Sequence, residues 1–436
     1  MYSFQDFFHF DSIRDEHSAV EIISMEEFLK REAMTGHLFN KTTGLVSFPH
    51  ENRTDWNIDE RLKGLESPLW KWLRTVAENP IWDFDKCVAA FPKQPGPGGV
   101  ERMNRYFQQT RDQMPAPLRI KQYTGKPTPV DAPPEKRLRE VISRREGVCV
   151  YDEKLQNAKV FHLMGDNDSK ARLLVHFYLF LFFEDWRHDL WGKRFVRDHL
   201  RYHDEIQCAA ARVVEAVRLK SKEHGDPSGA YDSFHVRRGD FQYKHTRVGA
   251  EEIYSVTAKL LNTNSTIFIA TDEKNKAFFD PLRKHYHLYF LDDFKHLLPD
   301  VSPNFYGMMD QLIASKGRAF FGSYLSTFTG YINRIRGYHS QKEKLEDYEE
   351  GIINSYYYTP DNNMYVMKQY TSADLPLWAR EFAVGKYYCI PVALCIHSFL
   401  GEGSFVVAHT RLLILCWAGW REIDHGLEQD QIKSRR

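Results

Sequence analysis

Tyr231-Asp232-Ser233-Phe234-His235-Val236-Arg237-Arg238-Gly239-Asp240-Phe241 reads as a strand, Tyr231 to Arg237, that runs out into a basic, glycine-containing loop. Working outward, the pattern predicts a helix from about Ala250 to Leu261 and a fully apolar strand at Ile267-Phe268-Ile269-Ala270. A strand at Leu288 to Leu291, a helix around Gly307 to Lys316, a strand at Ala319 to Phe321 and a helix from Ser326 to Arg336 continue the alternation. Strands and helices alternating at this spacing imply a parallel sheet with helices on both faces, because parallel strands need long crossovers. Such a sheet places its ligands at the carboxyl ends of its strands.

Upstream the pattern is more broken. Leu173 to Glu184 and Phe195 to Lys220 are expected as helices, the second with Ile206, Ala209, Ala210, Val213, Val214 and Val217 at helical spacing. Short strands are expected at Val148 to Tyr151 and Val160 to Leu163, and prolines and glycines recurring from Pro92 to Pro134 argue against long regular elements there. Near the start, Ala19 to Ile23 reads as a strand, and Ser24 with Glu27 forms a capping-box signal for a helix over Met25 to Lys30. This divides the chain into a first lobe (1–185), a second lobe that holds the alternating pattern (186–345) and a C-terminal return segment (346–436).

Composition narrows the class. The 436 residues carry 59 Lys+Arg against 59 Asp+Glu, which leaves no basic footprint for nucleic acid or an anionic membrane surface. Six cysteines (Cys87, Cys149, Cys208, Cys389, Cys395, Cys416) include no C-x-x-C pair and leave room for a stray disulfide. Asn40, Asn52, Asn167 and Asn264 open N-x-S/T sequons, which matter only in the secretory pathway. Neither the first residues nor the apolar runs Leu173 to Phe183 and Tyr387 to Trp420 read as a signal peptide or a membrane span, which needs ~20 apolar residues.

Three strand ends carry polar groups where a ligand would sit. Arg237 can offer a planar fork of donors to a diphosphate, or it can be half of a solvated basic pair. The Arg-Gly-Asp spelling at 238–240 is read as a chance match to an adhesion motif. After the next strand, Asp272 in Ala270-Thr271-Asp272-Glu273 is read first as a helix cap. Ser326 and Thr327, entering the last helix, make either an anion cradle with the first-turn N–H groups or an ordinary Ser/Thr cap. Asp166-Asn167-Asp168 has the spelling of a metal-binding Asp-x-Asp, but its neighbours read as a turn, and no metal site is assigned.

Together these residues resemble the GDP-fucose protein O-fucosyltransferase family, in particular its plant and algal branch. His235-Val236-Arg237-Arg238-Gly239-Asp240-Phe241 looks like the family's H-x-R motif, Met309-Asp310-Gln311 like its D-Q motif, and Ser326-Thr327-Phe328 like its S-T-F segment. Phe195 to Tyr202 and Tyr331 to Tyr338 add to a likeness running from Phe4 to about Arg336. The resemblance implies an α/β, GT-B-like fold of two Rossmann-like lobes with the nucleotide cleft between them. It implies inverting, metal-independent transfer of fucose from GDP-fucose, the donor substrate, to a protein or glycan hydroxyl, with no cofactor. On this reading Arg237 is catalytic and holds the β-phosphate and glycosidic oxygen, while His235 lines the cleft. Asp310 accepts from guanine, and Ser326, Thr327 and Phe328 grip the diphosphate and nucleoside. The full-length parent belongs in the Golgi or ER lumen, as a type II membrane protein.

Two departures from the family stand out. Its opening strand and Gly-Gly-Phe-Asn-type loop have no counterpart before Phe4, so an incomplete start is expected, with the anchor or signal lost alongside it. Arg380-Glu381-Phe382 and Gly419 to Asp424 resemble consecutive late family elements, and Ala383 to Ala418 between them reads as a retained intron or a surface insertion. No general base is assigned, and Asp240 is read as a structural member of its loop. The rival readings are a related transferase using another nucleotide-deoxysugar, such as a rhamnosyltransferase with a UDP donor, and an inactive glycan-binding or scaffold relative.

Overall fold

The computed structural model describes residues 6–9, 13, 23, 25–48, 68–83, 86–94, 96–116, 128–129, 131–142, 145–163, 181–189, 201–239, 244, 247–324, 326–343, 354–361, 364–369 and 405–408. The chain divides into two compact units: Phe10–Tyr123 with Thr128–His199 and Pro391–Arg436, and Met1–His9 with Thr124–Pro127 and Leu200–Ile390. The α/β class with parallel sheets is as expected from the sequence.

In the first of these units, α1 (Met25–Phe28) and α2 (Pro68–Val76) share a core of Phe28, Leu29, Leu38, Trp72, Leu73 and Val76. β1 (Cys87–Phe91) is the centre of a three-stranded parallel sheet, and all five of its residues are buried. α3 (Pro97–Gln113) follows, then α4 (Pro134–Leu138), the sheet strand β2 (Gly147–Val150), α5 (Glu153–Asn157), β3 (Val160–Leu163) and the other sheet strand β4 (Leu181–Phe183).

Two sequence expectations are corrected here. The Pro/Gly-rich stretch contains the 17-residue α3, because Pro97 takes the first turn, where a missing N–H costs nothing, and no further proline arrives before Pro115. The end of Leu173 to Glu184 is strand, not helix: Leu181, Phe182 and Phe183 pair with Ala89, Ala90 and Phe91, and Phe183 stacks on Phe91 at 4.5 Å. An unbroken apolar run fits a buried strand as well as a buried helix, and here pairing with β1 decides. A disulfide joins Cys87 to Cys149 across β1 and β2. Ala19 to Ile22, Asp166 to Asp168 and Phe195 to Leu200 lie outside the described residues. Of the segment 383–418 only Phe405–Ala408 is described, as a strand antiparallel to β3.

In the unit spanning Leu200–Ile390, α6 (Asp204–Glu223) buries Ile206, Ala209, Ala210, Val213 and Val217. It starts at Asp204 rather than Phe195, because Tyr202 is extended and bridges Phe8. β5 (Asp232–Val236), α7 (Ala250–Thr257), β6 (Thr266–Thr271), α8 (Asp280–Arg283), β7 (His287–Tyr289), α9 (Tyr306–Ser315), β8 (Phe320–Ser323) and α10 (Thr327–Glu343) follow the predicted alternation. β9 (Ser355–Asp361) and β10 (Met364–Gln369), a Tyr-rich hairpin, were not foreseen.

The sheet order is β10-β9-β8-β5-β6-β7, with β9 through β7 parallel and β10 antiparallel at the edge. The chain lays β5, β6 and β7 in one direction and then returns to β8 and β9 on the other side of β5. Strand order therefore reverses between β5 and β8, which opens a crevice at their carboxyl ends because the crossovers depart to opposite faces. Alternation along β5 sends Phe234 and Val236 into a core with Ile267, Ile269, Phe279, Leu282 and Phe321. Ser233 and His235 face α9 and α10, where Ser233 Oγ donates to the Ala314 carbonyl at 2.7 Å. No helix among the described residues is long and apolar enough to cross a membrane.

Candidate functional site

The site forms where β5 and β8 end. His235, the penultimate residue of β5, is buried and shares a 2.7 Å hydrogen bond through Nδ1 with Thr329 Oγ1, while its ring stacks on Phe328 at 4.5 Å. Burial pushes its imidazole down to about 3: the positive charge of Arg237 adds to this and Asp272 opposes it. His235 is therefore neutral at physiological pH, a flat, uncharged wall.

Arg237 lies just past the strand. Its backbone N–H donates to Ser323 Oγ at 3.1 Å, and that hydroxyl in turn donates to the His235 carbonyl at 3.2 Å. The hydroxyl of Tyr358, on β9, donates to the same carbonyl at 2.7 Å. These bonds lash the tip of β5 to the tip of β8, three residues before Ser326. Gly322 lets α10 pack close on β8: a Cβ there would run into the Thr329 side chain.

Ser326 is buried and Thr327 opens α10. The N–H groups of the first turn have no intrahelical acceptors, and no acidic residue occupies that turn. Together with the helix dipole this is a region of positive potential beside the Arg237 backbone. His235, Arg237, Ser326, Thr327 and Phe328 are thus gathered at one pair of strand ends.

Asp310 lies on α9. Its Oδ1 is sealed from solvent without a hydrogen-bond partner, and burial raises its carboxyl well above the usual carboxylate range, with Lys276 opposing and Asp292 reinforcing. Its neighbour Gln311 has a structural task instead, since its Oε1 accepts from Tyr202 Oη at 2.6 Å. A carboxyl oxygen sealed without a hydrogen bond is costly in a folded protein and fits a group awaiting a ligand.

Asp272 corrects the sequence reading. It caps no helix: Oδ1 accepts from Arg238 N–H at 2.7 Å, Oδ2 accepts from Gly239 N–H at 2.9 Å, and Oδ2 pairs with the Arg237 guanidinium at 3.0 Å. Asn275 is the cap of the following turn. One carboxylate therefore shapes the loop after β5 and holds its key arginine. A Cβ on Gly239 would sit 2.5 Å from Asp272 Oδ2, so only glycine lets the loop close on it. Arg238 is occupied elsewhere, lying 3.9 Å over the Phe278 ring and paired with Glu273 at 3.0 Å. Ser323, Thr329 and Tyr358 were also missed; they act through strand adjacency, which leaves no local trace. Asp240 lies outside the described residues.

Among solved structures the chain is similar to a mutant of FUT1 from Arabidopsis thaliana in complex with GDP, at 12% identity and TM-score 0.24, covering 59% of this chain and 55% of that one. It is similar also to the fucosyltransferase NodZ from Bradyrhizobium, at 12% identity and TM-score 0.26, covering 65% of this chain and 99% of that one. The chain thus spans about half the length of the FUT1 chain, and superpositions this loose carry no argument of their own. No curated protein matches it. The sequence profile of the GDP-fucose protein O-fucosyltransferase family, however, matches residues 1–339, well over half the chain, a span that includes His235, Arg237, Asp272, Asp310 and Ser326 to Thr329 but not Tyr358. The chain belongs to the GDP-fucose protein O-fucosyltransferase family.

Proposed function

We propose that the protein transfers fucose from GDP-fucose to a hydroxyl of a protein or glycan acceptor, with inversion and without a metal. The observation that carries this reading is the reversal of strand order between β5 and β8, which sets Arg237 and the first turn of α10 side by side. In the reaction the acceptor hydroxyl oxygen attacks the anomeric carbon and gives up its proton to solvent, the bond from that carbon to the β-phosphate oxygen breaks, and its electron pair stays on GDP. Charge grows on that oxygen, and a positioned guanidinium with helix-terminal N–H donors stabilises it most in the transition state. The neutral His235 and Phe328 give the nucleoside a flat apolar wall, and the unpartnered Asp310 supplies acceptors for the guanine N1–H and N2–H₂.

The binding test is competition of GDP against UDP. A preference for GDP that Asp310→Asn abolishes supports the reading, and a preference for UDP removes fucose as the donor sugar. Transfer should fall by about 3 kcal/mol of barrier, roughly a hundredfold, in Arg237→Ala; turnover unchanged by that substitution would refute the assignment of Arg237. We also place the protein in the secretory lumen, a reading supported by the Cys87–Cys149 disulfide, since such bonds persist in oxidising compartments.

A further inference from the structure

Asn40-Lys41-Thr42 lies at the tip of a hairpin in the unit that begins at Phe10. Phe39 bridges Val46, Asn40 N–H donates to the Leu45 carbonyl at 2.8 Å, and Ser47 N–H donates to the Leu38 carbonyl at 2.9 Å. Within the turn, Asn40 Oδ1 accepts from the N–H groups of Thr42 and Thr43 at 2.9 and 3.0 Å. This Asx turn is local, so it can form before the rest of the chain folds. It engages the carboxamide oxygen and leaves Nδ2 without a protein partner among the described residues. Lys41, Thr42 and Thr43 are exposed.

The same hairpin bears several exposed apolar side chains, and among the described residues Lys159 Nζ, 5.5 Å from the Phe39 ring centroid, covers one of them. Leu45 is 69% exposed, Phe39 and Phe48 47% each, and Val46 44%. Clustered exposed apolar side chains of this kind mark a surface that something else covers. The apolar faces of sugar rings pack on aromatic side chains, and a glycan on Asn40 begins at the residue adjoining Phe39.

We propose that Asn40 is an N-glycosylation acceptor and that its glycan covers this apolar patch. The proposal rests on the lumenal reading above. In the transfer, Asn40 Nδ2 attacks the anomeric carbon of a lipid-pyrophosphate-linked oligosaccharide. The nitrogen–carbon bond forms, the carbon–oxygen bond to pyrophosphate breaks with its electron pair leaving on the lipid pyrophosphate, and the amide gives up one proton. Asn264 is a poorer candidate: it sits in a left-handed turn at φ 64°, and Thr266, whose hydroxyl completes the sequon, is buried in β6. Asn52 and Asn167 lie outside the described residues.

The test uses the full chain directed through the secretory pathway of a eukaryotic cell. Peptide mapping after peptide-N-glycosidase in heavy-oxygen water should find Asn40 converted to labelled aspartate. Thr42→Ala, which keeps Asn40 and its turn, should lose that label together with the mass of one glycan. Enzymatic removal of the glycan from the folded protein should raise binding of a hydrophobic dye, and Leu45→Ser should reverse part of that rise. Unmodified Asn40 in chains whose Cys87–Cys149 bond is intact would overturn the site. Free thiols at both cysteines would overturn the compartment reading beneath it, and unchanged dye binding would overturn the covering role.

Discussion

Replacing Asp310 by asparagine should make the protein more stable and a worse nucleotide binder at once. The carboxyl sits on α9 with Oδ1 sealed and unpartnered, and burial holds it protonated well above its ordinary value near 3.8. The folded chain therefore keeps a proton that the unfolded chain surrenders as pH rises past that value. The unfolded state binds fewer protons across this window, so the contribution of Asp310 is fully present below about pH 3.8 and is lost as pH climbs through the folded value. The loss is about 1.4 kcal/mol per pH unit. Asparagine has the same shape and no proton to lose, so the stability gap between variant and wild type should be near zero at pH 4 and widen at that slope. Urea midpoints measured from pH 4 to 8 read it directly. GDP binding should move the other way. Guanine presents two donors to one carboxylate, and an amide supplies a single acceptor and turns its NH₂ toward the second donor. Losing one charge-assisted hydrogen bond costs about 2–3 kcal/mol, a weakening approaching a hundredfold. Wild-type affinity should itself rise with pH, with one proton released on binding, which calorimetry in buffers of different ionisation enthalpy detects. A variant that is less stable at neutral pH and binds GDP unchanged would refute both halves of the reasoning.

Asp272→Ala removes the acceptor for two backbone N–H groups and the partner of Arg237, and should cost about 3 kcal/mol in denaturant unfolding together with a clear loss of GDP affinity. Gly239→Ala, which drives a methyl into the same carboxylate, should weaken GDP binding in the same direction, measured by titration. His235, pushed down to about 3 by burial, stays neutral in the folded chain while the unfolded imidazole takes up a proton below about pH 6.5. Its contribution is thus fully present above pH 6.5 and falls by about 1.4 kcal/mol per pH unit toward pH 3, and His235→Gln should flatten the melting-temperature profile between pH 7 and 4.5. Opening the Cys87–Cys149 bond frees a loop of 62 residues in the unfolded chain and should lower stability by about 4 kcal/mol on the chain-entropy estimate, as read by denaturant midpoints with and without reductant.

Much of the Leu200–Ile390 unit was legible from its letters. β6 holds the unbroken apolar run Ile-Phe-Ile-Ala and β8 begins Phe-Phe, as strands buried on both faces tend to, while β5, Asp-Ser-Phe-His-Val, was read from its β-forming Phe and Val and the basic, glycine-containing loop that follows it. The other unit was harder. Its central strand, Cys-Val-Ala-Ala-Phe, has two alanines and no alternation, so nothing separated it from a loop or a helix fragment. Leu181 to Phe183 was misread because apolar letters alone carry no period. Asp272 was noticed, but as a cap, since an Asp after a strand is the usual start of a turn. Its real partners, Arg238 and Gly239, lie more than thirty residues earlier, at the end of the neighbouring strand.

The sequence by itself determined where each strand of the nucleotide-binding pattern stops and which chemically capable side chains follow it: Arg237 after β5, Ser326 and Thr327 before α10, Asp310 within α9. Those are local matters, set by hydrophobic runs, turn residues and helix starts a few positions apart. Tertiary structure alone decided that β8 returns to lie against β5 rather than beyond β7. That single choice of neighbour aligns Ser323 with Arg237 and Thr329 with His235 across more than eighty residues of chain. Packing likewise left Asp310 Oδ1 sealed and without a hydrogen bond, because burial and hydrogen-bond satisfaction belong to the packed molecule and not to any stretch of it.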